Sequence, residues 1–144
     1  MSSPVVIDAS LAVACVVRTP YSAQAAGAME HWMRAGAQFY APGIWWYEVT
    51  SVIHRYHFAG LITDAMAYAG LEILTSQWEI HRVDVAMRSA FDWATRLRQK
   101  AAYDGFYLAA AESLGAELWT ADQALVNNAR QVGAGWVRWI GEQA

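Results

Sequence analysis

The chain has 144 residues, a formal net charge of −3 and a pI near 5.7. With 56 % hydrophobic and 16 % charged residues, it is too apolar for a disordered polymer and too acidic for a basic nucleic-acid coat. Its length suits one domain spanning residues 1–144, enough to bury about 70 % of the unfolded surface.

Val5-Val6-Ile7 is a β-branched run that ends at Asp8 and predicts a buried strand. From Ser10 the apolar spacing predicts a short helix ending near Pro20. Ser22 to Arg34 is Ala-rich and predicts a helix stopped by Gly36. Gln38 to Ala41 reads as a second strand, and Pro42 falls near the start of the next helix. That helix runs to about Phe58, with Trp45, Val49, Val52, Ile53 and Tyr56 at helical spacing.

Thr63 is placed to cap another helix, continuing through Ile73 and Leu74. Trp78 to Val83 alternates and predicts a third strand. Asp84 is placed to cap a helix with a basic end at Arg96, Arg98 and Lys100. Asp104 to Leu114 predicts a helix closed by Gly115, and Glu117 to Thr120 a strand. Asp122 opens a further helix, and Trp136 to Ile140 predicts the last strand. This alternation predicts an α/β, three-layer fold: a central, mostly parallel sheet of about five short strands with helices on both faces.

In such sheets, sites form beyond the carboxyl ends of the strands. Asp8 follows the first strand directly, and Asp122 follows the fourth. Glu48 lies in the first turns of its helix, at the border of the apolar face. Asp104 shares a helical face with Tyr107, Leu108 and Ala111, where a carboxylate must either meet a cation or protrude past the core. Each also has a plain structural reading: Asp104 and Asp122 as helix caps, Asp8 as a hydrogen-bonded strand end, Glu48 as a border glutamate.

Four carboxylates around one pocket repel each other, and a hard divalent cation such as Mg²⁺ or Mn²⁺ removes that cost. There is no Cys/His cluster for zinc, no Gly-rich phosphate loop and no Gly-x-Ser-x-Gly elbow. A phosphatase with a nucleophilic Asp8 would want a second Asp two residues on, where this chain has Ser10.

At these residues the sequence resembles a PIN domain, in particular the toxin subunit of VapBC toxin–antitoxin pairs. The matching pieces are Val-Ile-Asp-Ala-Ser (6–10), the helix with Glu48-Val49, Tyr-Asp-Gly-Phe-Tyr-Leu-Ala-Ala-Ala-Glu (103–112) and Leu-Trp-Thr-Ala-Asp (118–122). The resemblance implies that Asp8, Glu48, Asp104 and Asp122 are catalytic residues and ligands of one or two Mg²⁺ or Mn²⁺ ions. Ser10 and Thr120 would support the acidic set. It implies a ribonuclease that hydrolyses RNA phosphodiesters, with a small antitoxin partner and a homodimeric state. The alternative is a catalytically silent PIN fold that binds RNA or protein.

Gly105 departs from the helix former common in the family at that position. The Trp45-Trp46 pair can line a groove for stacked bases or sit in the core or an interface. Arg55, Arg96, Arg98 and Lys100 can hold phosphates or be ordinary solvated charges. Cys15 is the only cysteine, so no internal disulfide is possible. The opening Met-Ser-Ser-Pro lacks a positive region and no apolar run approaches a membrane span, so a cytoplasmic location is expected and a membrane partner is not.

Overall fold

The computed structural model describes residues 3–142. Among these lie five strands and seven α-helices. In chain order they are β1 (Pro4–Ile7), α1 (Ala9–Val16), α2 (Ser22–Arg34), β2 (Gln38–Pro42), α3 (Ile44–Phe58) and α4 (Asp64–Glu72). After these come β3 (Ile80–Val83), α5 (Met87–Leu97), α6 (Tyr103–Leu114), β4 (Glu117–Thr120), α7 (Gln123–Gln131) and β5 (Val137–Trp139). Every strand pairing is parallel, and the order is β3-β2-β1-β4-β5.

That order places the first strand in the middle. The chain winds outward through β2 and β3, returns across the sheet, and winds outward again through β4 and β5. The direction of winding reverses between β1 and β4, which leaves a crevice above their carboxyl ends. Ile7 is in register with Trp119, and the Asp8 N–H donates to the Trp119 carbonyl at 3.2 Å. The ladder therefore holds Asp8 alongside the end of β4.

The strand alternation sorts side chains into two cores, one on each face. Val5, Ile7, Phe39 and Trp119 pack with Leu11 and Ala14 of α1 and with Ala25, Met29 and Trp32 of α2. Val6, Leu118 and Val137 pack with Val49 and Ile53 of α3, Trp93 and Leu97 of α5, Leu108 of α6 and Val126 of α7. The expected three layers are present. Trp45 is only 1 % exposed and stands edge-on to Trp46, so it belongs to the core.

Two local expectations need correction. Asp84 does not cap α5, whose N-cap is Ala86 with no side-chain bond. Asp84 lies two residues too early to reach the free N–H groups and sits beside Arg82 instead, at 3.9 Å. Pro42 closes β2 and lies just before the Gly43 N-cap of α3, near the helix start as expected. The helix through Leu74 is continuous in sequence but widens into a π-helical turn at Ile73–Gln77, shortening β3 at its start.

Gly105 has a clear reason. A Cβ at this position would lie 2.2 Å from the Ala90 carbonyl oxygen. Helix α6 crosses α5 so closely that only glycine fits, and this packing fixes where Asp104, one residue earlier, projects.

Candidate metal and active site

Two strand–helix junctions build the floor of the crevice. At the first, the backbone leaves β1 and Asp8 caps α1, its Oδ1 accepting the Leu11 N–H at 3.0 Å. At the second, Asp122 caps α7, its Oδ1 accepting the Leu125 N–H at 3.2 Å. Because β1 and β4 are neighbours, the two caps lie side by side.

Hydroxyls tie the junctions together. Ser10 Oγ donates to Asp8 Oδ1 at 2.7 Å, and Thr120 Oγ1 donates to Asp8 Oδ2 at 2.5 Å. Each hydroxyl also accepts a backbone N–H from the second junction: Ala121 to Ser10 and Asp122 to Thr120, both at 3.0 Å. Ser10 and Thr120 thus do more than stabilise their own turns. They fix the orientation of the Asp8 carboxylate from both sides.

Asp104 and Glu48 arrive from the helices. Asp104 is the second residue of α6 and caps nothing; the N-cap is Ala102, without a side-chain bond. The Asp104 Oδ2 instead accepts from Gln99 Nε2 at 2.8 Å. Gln99 follows Arg98, which adopts a left-handed conformation (φ 57°) at the end of α5 and turns the chain back toward α6. Glu48 is half-buried in α3, on the same side as Val52 and Arg55. Asp8, Ser10, Glu48, Asp104 and Asp122 line one cavity of about 440 Å³, together with Arg55, Tyr107 and the Thr19–Tyr21 turn.

The electrostatics fit a cation-binding pocket. Burial drives the Asp8 carboxyl up from 3.8 to about 7, although Thr120, Leu11 and Ser10 all donate to it. Burial likewise raises Glu48, opposed by the Tyr107 hydroxyl, with the Asp104 charge adding to the rise. Asp104 is raised mainly by burial, against the Gln99 bond that holds it down, with a smaller push from the Asp122 charge. A cation in the cavity would relieve all three at once. The donors are all oxygens, the set that Mg²⁺ and Mn²⁺ prefer. Among the described residues no three acidic side chains stand close enough to enclose an ion.

All four carboxylates singled out in the sequence therefore reach one cavity, and the two hydroxyls sit behind the first. Trp45 and Trp46 do not line it. Arg55 does, whereas Arg96 is occupied elsewhere, stacked on Trp93 at 4.0 Å and bonded to the Val132 carbonyl. Sequence reasoning missed Gln99, which has no motif of its own and acts only through a chain reversal. It also assigned Tyr107 to the core alone.

A parallel five-stranded sheet with this winding, and acidic residues at its switch point, defines a PIN-like α/β fold. Solved structures with the same architecture include PAE2754 from Pyrobaculum aerophilum, at TM-score 0.71 and 18 % identity, covering 98 % of this chain and 93 % of that one. A toxin–antitoxin complex from Klebsiella pneumoniae matches at TM-score 0.65 and 16 % identity, covering 94 % and 97 %. VapBC2 from Rickettsia felis, bound to a DNA fragment from their promoter, matches at 0.62 and 14 %, covering 91 % and 94 %. At these identities the likeness is one of fold. No protein-family model matches the chain, and no curated protein matches it in sequence.

Proposed function

We propose that the chain is a divalent-metal-dependent endoribonuclease of one PIN-like domain, the toxin component of a VapBC-type toxin–antitoxin pair. The observation that carries this reading is the convergence of Asp8, Glu48, Asp104 and Asp122 on one cavity at the switch point of the sheet. Two of the structures sharing its fold are a toxin–antitoxin complex and a VapBC2 complex, which supports a small antitoxin as partner.

Asp8, Glu48, Asp104 and Asp122 would hold Mg²⁺ or Mn²⁺. When bound, the ion would lower the pKa of a water and neutralise charge on the phosphodiester. Ser10 and Thr120 keep the Asp8 carboxylate oriented, and Gln99 keeps Asp104 oriented. Arg55, on the cavity wall, offers a cation to an RNA phosphate. With a net charge of −3, the chain relies on such local charges for affinity.

Phe58, Leu61, Tyr68, Met87 and Phe91 are exposed and offer apolar surface for an antitoxin or a second copy in a homodimer. No helix among the described residues is long and apolar enough to cross a membrane, which is compatible with action in the cytoplasm.

Purified protein is expected to cleave single-stranded RNA with Mg²⁺ or Mn²⁺, and to stop when a chelator is added or Asp8 becomes Asn. Cleavage that survives both changes overturns the reading. The alternative is a silent binding module. Retention of RNA without cleavage at any metal concentration would select it.

A further inference from the structure

Three of the four carboxylates have a hydrogen-bonded holder. Asp8 has Ser10, Thr120 and the Leu11 N–H; Asp104 has Gln99; Asp122 has the Leu125 N–H. Glu48 is the exception, because its Oε1 is buried without a partner. The Tyr107 hydroxyl lacks a well-formed bond too, but it lies against Glu48 and the Ala9 backbone N–H, and its approach already holds the Glu48 carboxyl down against the effect of burial.

Tyr107 is 2 % exposed and lies one turn after Asp104 on the face of α6 that looks into the cavity. A phenol is a strong donor, and a carboxylate oxygen is its natural acceptor. Poorly aligned, the two neighbours are a donor and an acceptor that each lack a full bond, which is costly when buried. Brought together, they satisfy each other. Tyr107 is the more buried of the two, so the small adjustment that completes the bond falls to Glu48 on the cavity wall.

We propose that Tyr107 is the positioning residue for Glu48: its hydroxyl donates to Glu48 Oε1 and leaves Oε2 free to hold a metal ion. This rests on the metal-site reading above. Outer partners of this kind hold a ligand's geometry and strengthen metal affinity by about 10- to 100-fold. Tyr107 would not itself touch the ion or the RNA.

The test is calorimetric titration of Mn²⁺ into the wild type, Tyr107→Phe, Glu48→Gln and the double variant, with melting temperatures recorded in chelator. Tyr107→Phe is expected to weaken Mn²⁺ binding about 10-fold or more, while its melting temperature in chelator stays level or rises. In the Glu48→Gln background the same change should add nothing, since the two residues act as one unit. Equal Mn²⁺ affinity in wild type and Tyr107→Phe overturns the proposal. So does a loss that persists undiminished in the Glu48→Gln background, or a fall in melting temperature with unchanged affinity. If the wild type binds no Mn²⁺, the metal-site reading falls first and takes this inference with it.

Discussion

The β1–α1 and β4–α7 junctions follow the same local rule and end in different states. Each is a strand, an aspartate and a helix, and each aspartate accepts the N–H three residues on. Yet Asp8 is 6 % exposed, held by two hydroxyls and pushed up to about 7, whereas Asp122 is exposed to solvent. Local sequence sets the cap. Position in the sheet sets the burial, because β1 is the middle strand of five, two strands from either edge, whereas β4 lies one strand from the edge. A cap that water can reach needs nothing further. A cap buried against its own charge is a place where a cation gains.

The largest expected effect separates the junctions by activity. Asp8→Asn keeps the shape, and Asn still caps a helix, but the carboxylate charge is lost. Cleavage should fall about 10³-fold, several kcal/mol of transition-state stabilisation at 1.36 kcal/mol per tenfold. The Asn variant should melt no lower than wild type in chelator, because the buried charge is gone. Steady-state cleavage beside chelator melts checks both halves; equal activity would make the two junctions functionally alike.

The second effect is a pH dependence that comes from the buried junction. Asp8 in the folded protein titrates near 7 rather than 3.8, so the fold holds its proton more tightly than the unfolded chain does. That contribution is complete below the ordinary value and is lost as pH rises through the folded one. In chelator the melting temperature should therefore fall between about pH 4 and 7, with Glu48 and Asp104 shifting in the same direction. Saturating Mn²⁺ should reverse the trend by favouring the charged forms. A melting temperature flat across this range in chelator would show that Asp8 titrates like an exposed carboxylate.

Thr120 couples the junctions, donating to Asp8 and accepting from the Asp122 N–H, and it is fully buried. Thr120→Val nearly preserves volume but strips these bonds and the contact with the Ser10 hydroxyl. It should cost about 1–3 kcal/mol of stability, the usual penalty for orphaning buried polar groups. Thr120→Ser should recover most of it. Denaturant unfolding of the two variants checks this; a Val variant as stable as wild type would mean the hydroxyl binds nothing of consequence.

How much of this was legible in the sequence differs by residue. Asp8 and Asp122 were readable because a β-branched run, an aspartate and an apolar helix are consecutive in the chain. Asp104 was readable as a carboxylate on an apolar stripe, and the structure removes its plain reading as a cap. Glu48 leaned on resemblance, since a border glutamate looks ordinary until its unpaired oxygen is seen. Gly105 looked like a defect, because helix propensity is local while the Ala90 carbonyl that demands it comes from α5. Gln99 and Tyr107 act through contacts that no spacing encodes. The misplacement of Asp84 as a cap shows the same limit on a smaller scale: the residue type was right and the helix began two residues later.

The smallest effect gives the finest discrimination, and it belongs to Asp122. As a plain cap its carboxylate accepts one N–H, a role that Asn fills nearly as well and Ala does not. Asp122→Ala should therefore cost about 1 kcal/mol in unfolding free energy, and Asp122→Asn close to nothing. If Asp122 were only a cap, activity would follow stability, and the Asn variant would cleave like wild type. In the proposed site both variants lose cleavage, because neither carries the charge, and their losses are similar despite unequal stability. The Asn variant thus decides the matter by parting the two quantities. Normal stability with reduced cleavage makes the exposed junction a working member of the acidic set, while normal stability with full cleavage confines the chemistry to Asp8, Glu48 and Asp104.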